Sequence, residues 1–217
     1  MSSIADAINP LIHTGRVVGI QGVQGCGKTT VCKDIQATCL SIDDFYLPNN
    51  EIEKLFAQYG DVYRFRGNPG SHDVRWLTLV LTAWKRGEDV TVPVYDKTCH
   101  DGRGDRVGRR HIPNDGGTLV VEGWMIGFRP VGNGSVVDEA LKEYEAAFDC
   151  INTLFVLVPP YIDIVYKWRC RDDMKEDIQS FIDMYMPTYR TYLPILSNRH
   201  TMTIFILLDE MRCMKTL

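Results

Sequence analysis

The chain has 217 residues, 45% of them hydrophobic and 24% charged, with a formal net charge of −4. That length suits one α/β domain with a sizeable core, and the acidic balance argues against a broad nucleic-acid footprint, which needs a net basic face. The seven cysteines are odd in number, scattered and free of any C-x-x-C pair, which argues against a disulfide framework or a zinc site and fits a reducing compartment.

Arg16 to Gln21 is a short run rich in β-branched residues and reads as a buried strand. It leads directly into Gly22-Val23-Gln24-Gly25-Cys26-Gly27-Lys28-Thr29, a complete G-x-x-x-x-G-K-T motif, after which Lys28 to Ala37 reads as a helix. A strand-turn-helix of this composition is a phosphate cradle. Backbone N–H groups of Gly22, Gln24, Gly25, Cys26, Gly27 and Thr30 are expected to turn toward the anion, and the helix presents its positive end. Lys28 can reach the β and γ phosphates, and the Thr29 hydroxyl can ligate Mg²⁺. A bound nucleoside triphosphate is expected.

Cys39 to Ile42 reads as a second strand and leads into Asp43-Asp44-Phe45-Tyr46. A carboxylate there can accept a proton from an acceptor hydroxyl, and Asp43 is the candidate; helix capping or turn formation is the other reading and suits Asp44. Val74 to Lys85 has helical periodicity. Val92 to Pro113 breaks the pattern, with Gly102, Gly104 and Gly108 among Lys97, Arg103, Arg106, Arg109 and Arg110. It reads as a mobile, cationic loop; a solvated surface loop is the alternative.

Thr118 to Val121 is a strand that ends at Glu122, where a carboxylate either orients a metal shell or faces solvent. Asp138 to Phe148 follows as a helix, Asn152 to Val158 and Thr203 to Leu208 as strands. Alternation of strands and helices implies a parallel sheet covered on both faces, with ligands beyond the carboxyl ends of its strands. Tyr161 to Arg171 reads as a helix with Lys167 and Arg171 on one face, either a cationic clamp for phosphates or a surface face paired with Asp172 and Asp173. No charged-then-apolar signal stretch opens the chain, and the apolar runs at 154–160 and 204–208 are too short to span a bilayer. A cytoplasmic protein with neither membrane nor nucleic-acid partner is expected.

Several blocks recur in order: the phosphate cradle, Ser41-Ile42-Asp43-Asp44-Phe45-Tyr46-Leu47, Arg66-Gly67-Asn68-Pro69-Gly70-Ser71-His72-Asp73, Val92-Pro93-Val94-Tyr95-Asp96-Lys97, Gly102-Arg103-Gly104-Asp105-Arg106, and Glu122-Gly123-Trp124-Met125-Ile126-Gly127-Phe128. With Tyr166-Lys167-Trp168-Arg169, Tyr189-Arg190-Thr191-Tyr192-Leu193-Pro194 and Leu208-Asp209-Glu210, the series resembles plant-type D-glycerate 3-kinase and its fungal ATP-dependent kinase relatives. The resemblance implies an α/β P-loop fold, a three-layer sandwich around a mostly parallel five-stranded sheet. It implies a single kinase domain over 1–217, with an acceptor-binding and loop region at about 46–113. It further implies ATP and Mg²⁺ as cofactors, Asp43 as catalytic base with Lys28 and Arg169 as catalytic cations, and Arg169 on a lid. Tyr46, Arg66, His72 and Asp73 would line the acceptor site, with Tyr95 and Lys97 at its border; Thr29 and Glu122 would hold the metal. Arg103 and Arg106 join the acceptor residues on chemical grounds, since a guanidinium fork suits a planar carboxylate.

The expected activity is ATP-dependent phosphorylation of D-glycerate to 3-phosphoglycerate by a monomer. Another small hydroxylated acceptor, whether nucleoside, pantothenate or hydroxy acid, is the alternative within the kinases. A nucleotide-gated binding protein is the alternative outside them.

Overall fold

The computed structural model describes residues 3–13, 15–169, 178–196 and 202–215. In chain order the elements are α1 (Ile4–Ile8), β1 (Val17–Gly22), α2 (Lys28–Asp34), β2 (Thr38–Ser41), α3 (Asn49–Tyr59), α4 (Val74–Lys85), β3 (Val90–Asp96), β4 (Asp105–Ile112), β5 (Leu119–Gly123), α5 (Val136–Phe148), β6 (Thr153–Val158), α6 (Ile164–Arg169), α7 (Ile178–Tyr192) and β7 (Met202–Leu207). They form two compact units. The first comprises Met1–Leu40, Gly117–Phe128 and Ile151–Leu217, the second Ser41–Gly116 and Arg129–Cys150.

The first unit is built on a five-stranded sheet of order β2-β5-β1-β6-β7. β1 is central and pairs in parallel with β5 and with β6, and β6 pairs in parallel with the edge strand β7. Burial explains the composition of these strands. Every residue of β1 and β5 is buried, so each opens on an unbroken apolar run, Val17 to Ile20 and Leu119 to Val121, rather than alternating, with Gln21 and Glu122 at the carboxyl ends. Gly19 sits where a Cβ would meet Leu154 Cδ1 at 2.8 Å and Ile126 Cγ2 at 3.0 Å, so a larger residue there would displace these core side chains. At the edge, β7 leaves Met202 and Phe205 each 55% exposed. α7 presents Ile182, Tyr185, Met186, Tyr189 and Tyr192 inward at i, i+3, i+4, i+7 and i+10, an amphipathic pattern partly masked in the sequence by Pro187. Trp124 receives this face edge-on, with ring centroids 5.1 Å from Tyr185 and 5.0 Å from Tyr189.

The second unit packs α4 against α5 and carries a two-stranded antiparallel ribbon of β3 and β4. Its core includes Phe45, Tyr63, Leu77, Leu81, Trp84, Leu141, Tyr144 and Phe148. Within this unit the expected cationic loop over Val92 to Pro113 is corrected. It is a hairpin, Val90–Asp96 paired with Asp105–Ile112, with Gly102 and Gly104 near the tip at φ +91° and +79°. The reason lies in the exposed face of the ribbon. Val90 and Val92 are buried while Thr91 is exposed, so β3 has strand alternation, and β4 can be densely charged because most of it faces solvent. Trp76 supports those charges, with the Arg106 and Arg109 guanidinium carbons each 5.1 Å from its ring centroid. The region at 46–113 also contains α3 and α4, so it is largely regular structure.

Among the described residues no helix is long and apolar enough to cross a membrane.

Candidate active site

In the first unit the Gly-rich motif connects β1 to α2. Gly25 and Gly27 adopt φ +81° and +96°, in the left-handed region that favours glycine, and Gly27 caps α2 without any side-chain hydrogen bond. A helix start capped only by backbone leaves its first N–H groups to an anion. Lys28 spans the loop, its ammonium donating to the Gly22 carbonyl at 2.8 Å and the Val23 carbonyl at 3.2 Å. The Thr29 hydroxyl donates to Glu122 Oε1 at 3.3 Å, so the helix hydroxyl and the β5 carboxylate lie side by side. Cys26 is buried, and burial pushes its thiol up, away from the reactive thiolate form.

Two contacts hold the loop from outside. The Gln24 N–H donates to the Tyr189 hydroxyl of α7 at 2.9 Å. Gly25 lies against the end of α6, where a Cβ would stand 2.9 Å from Trp168 Cβ and 3.0 Å from the Trp168 carbonyl oxygen. The next residue, Arg169, therefore begins beside the phosphate loop. Its guanidinium stacks 5.4 Å from the Phe181 ring centroid, and its Nε is buried without a partner among the described residues.

In the second unit Asp43 occupies a 3-10 turn, Ile42–Phe45, opened by Ser41, whose hydroxyl accepts from the Asp43 N–H at 3.3 Å. Burial alone would raise the Asp43 carboxyl. The Lys97 ammonium at 2.6 Å and the Tyr46 hydroxyl at 2.9 Å outweigh it and hold the group below the ordinary carboxylate range. For the adjacent Asp44 burial prevails and pushes the carboxyl up. Arg66 lies over Tyr46 and Tyr95, 5.8 and 5.5 Å from their centroids, and donates to the carbonyls of Gly102 and Arg103. Arg106 reaches Asp73 at 3.4 Å and donates to the Tyr46 carbonyl at 3.0 Å. Asp73 also caps α4 by accepting from the Trp76 N–H at 3.0 Å. The His72 ring stacks on Tyr46 with centroids 4.5 Å apart.

No protein-family model matches the chain. The uncharacterized kinase mug58 of Schizosaccharomyces pombe is 31% identical over an alignment of 245 residues, covering 90% of this chain and 88% of that protein. The chain belongs to this kinase family. A chloroplastic D-glycerate 3-kinase of Arabidopsis thaliana is 32% identical across 83% of this chain, which spans 48% of the plant protein's length. Among solved structures, a D-glycerate 3-kinase from Cryptococcus neoformans superposes with a TM-score of 0.81 at 24% identity, covering 94% of this chain and 89% of that one, which establishes the shared fold.

The kinase motif residues thus fall into two sets. Within the first unit the structure brings Gly22 to Thr30, Glu122 and the α6 terminus together. Within the second it gathers Asp43, Tyr46, Arg66, His72, Asp73, Tyr95, Lys97 and Arg106. Arg103 contributes differently: its carbonyl accepts from Arg66 and Tyr95, while its guanidinium, 70% exposed, pairs with Glu53 at 3.3 Å. Lys167 pairs with Glu210 at 2.8 Å. Arg171, Asp172 and Asp173 lie outside the described residues.

Sequence reasoning missed the supports of both sets. Tyr189 opens one of the blocks that carry the resemblance, but nothing in that block marks it as a loop anchor; the structure places it on the buried face of α7. Asn68 and Ser71 are fully buried, and they shape the Arg66 to His72 turn. Asn68 donates to the Val62 carbonyl at 2.8 Å, and Ser71 both donates to the Asn68 carbonyl at 2.7 Å and accepts from the Gly67 N–H at 3.0 Å.

Proposed function

We propose that this kinase transfers the γ-phosphoryl group of MgATP to a hydroxyl of a small anionic hydroxy acid, D-glycerate, giving 3-phosphoglycerate. The observation that carries the reading is the Asp43 carboxylate, kept ionised by Lys97 in a set that also holds Arg66 and Arg106. A proton acceptor surrounded by cations suits a substrate bearing both a hydroxyl and a carboxylate, whereas an uncharged nucleoside gains nothing from the guanidinium groups. The name of the Arabidopsis relative supports the same acceptor.

The residues divide the work as follows. The loop N–H groups cradle the phosphates, and Lys28 exchanges the Gly22 and Val23 carbonyls for phosphate oxygens. Thr29 and Glu122 offer two hard oxygen donors side by side, which fits Mg²⁺, an ion that takes few protein oxygens and keeps its waters. When bound, the ion offsets charge on the phosphate oxygens. Asp43 takes the acceptor's hydroxyl proton while the acceptor oxygen bonds to phosphorus and the bond to the ADP oxygen breaks. Arg169 offsets charge on the phosphoryl group in transit. In this reading the whole chain acts as one kinase domain, with 46–113 as its acceptor region.

A coupled ADP-release assay with MgATP against D-glycerate, L-glycerate, uridine, pantothenate and no acceptor tests the proposal. Turnover that depends on D-glycerate is expected. Equal turnover without any acceptor would sink it, and turnover with uridine or pantothenate alone would move the acceptor to another class.

A further inference from the structure

His72 is 4% exposed, and its two ring nitrogens have unlike surroundings. Nδ1 lies 2.8 Å from the Tyr144 hydroxyl oxygen, whereas Nε2 is buried and has no partner among the described residues. Tyr144, from α5, is itself fully buried, and the same hydroxyl oxygen accepts from the Gly70 N–H at 2.9 Å. That second bond decides the protonation. A phenol has one proton to donate, and the Gly70 N–H, being a donor, cannot take it. His72 Nδ1 is the acceptor within reach, so it must present its lone pair. The ring is neutral, since burial pulls its pKa down to about 4 against the opposing charge of Asp43. A neutral imidazole holds one proton, which therefore sits on Nε2. The opposite tautomer would make the Tyr144 oxygen accept twice and leave its own buried proton without an acceptor.

A buried N–H without a partner is rare in a folded chain, and such a group needs an explanation. This one belongs to a ring stacked on Tyr46, and the Tyr46 hydroxyl donates to Asp43 Oδ1 at 2.9 Å. We propose that Tyr144 is a positioning residue which, by donating to Nδ1, fixes His72 as the Nε2–H tautomer, and that this N–H donates to an oxygen of the acceptor substrate. The inference rests on the reading of the Asp43 set as the acceptor site. It adds the direction of one hydrogen bond: at this point the acceptor must present a lone pair, as a carboxylate or hydroxyl oxygen does and an ammonium does not. His72 then serves as a neutral donor over the working pH range and takes no proton from the reaction.

The test is nitrogen NMR of the full chain labelled with ¹⁵N, combined with kinetics. At pH 7.5 wild-type His72 should show a protonated Nε2 and an unprotonated Nδ1. Tyr144→Phe keeps the ring and removes the hydroxyl; the two nitrogen shifts should then move toward averaged values. KM for D-glycerate should rise about twofold, the share of rings no longer held as the Nε2–H tautomer, with KM for ATP unchanged, whereas His72→Leu, which removes the donor itself, should raise it about five- to tenfold. His72→Gln, which retains a donor N–H, should keep more acceptor affinity than His72→Leu. If Tyr144→Phe does not fold, wild type alone decides by titration with D-glycerate, which should move the Nε2 resonance more than Nδ1. A protonated Nδ1 in wild type overturns the proposal, as does an unchanged KM for D-glycerate in a variant whose tautomer has changed. A wild type with the expected tautomer but no acceptor-dependent ADP release fails the proposed function instead, and the substrate contact falls with it.

Discussion

Asp43 and Asp44 are neighbours with the same side chain, yet their carboxyls are driven in opposite directions. The Lys97 ammonium is 2.6 Å from Asp43, while burial dominates at Asp44. Asp43→Asn removes the proton acceptor and keeps the shape, so turnover should fall by about 10²- to 10⁴-fold, with MgATP affinity nearly intact by calorimetry. A variant with near wild-type rate would remove Asp43 from the base role. His72 supplies a stability prediction at the same scale. Its folded pKa is about 4 against 6.5 for the ordinary group, so between those values the unfolded chain takes up a proton that the folded chain refuses. Stability should therefore decline as pH falls from 6.5 to 4, by about 3 kcal/mol in all. Urea midpoints measured across that window should show the slope, and His72→Gln should flatten it. Asp43, held low, acts in the same sense but further down: its contribution is present above the ordinary carboxylate pKa and is lost as pH falls below it.

At the scale of elements, the phosphate loop depends on what packs behind it. Gly25 combines φ +81° with the Trp168 backbone, where a Cβ would find no space, whereas Gly27 at φ +96° has nothing within 4 Å. Gly25→Ala meets both backbone strain and a clash, so it should destabilise by more than about 1 kcal/mol and weaken nucleotide binding. Gly27→Ala meets strain alone and should cost less stability. Thermal melts of the two variants would check the order; a Gly27 variant that melts lower would show that strain outweighs contact. The strand and helix runs of the alternating sheet were legible because period and burial agree there: β1 and β5 open on apolar runs, Val17 to Ile20 and Leu119 to Val121, and α4 keeps a clean face of Val74, Leu77, Val80, Leu81 and Trp84. The β3–β4 ribbon was not legible. Its charges sit on a solvent-facing strand beside Trp76, a neighbour that only folding brings near.

At the scale of the whole molecule, a ligand that binds only the folded chain must raise its stability. MgATP at a hundred times its Kd should add about 2.7 kcal/mol, read as a rise in melting temperature. Lys28→Ala should remove most of that rise along with turnover. An unchanged rise would place the nucleotide elsewhere.

By itself the sequence determined the chemistry in local patterns: the phosphate cradle between strand and helix, the alternation of the main-sheet strands with helices, and the acidic residues at the ends of two of those strands. These follow from spacing along the chain, because glycine conformations, helix starts and apolar periods involve residues a few positions apart. The tertiary structure decided which of two adjacent aspartates has its carboxyl held below the ordinary range, which hydroxyl anchors the phosphate loop, and which nitrogen of His72 holds the proton. Each of these depends on partners far off in sequence, namely Lys97 for Asp43, Tyr189 for Gln24 and Tyr144 for His72. A hydrogen bond or an ion pair acts over about 3 Å. Separations of 54, 165 and 72 residues are closed to that distance only by the fold.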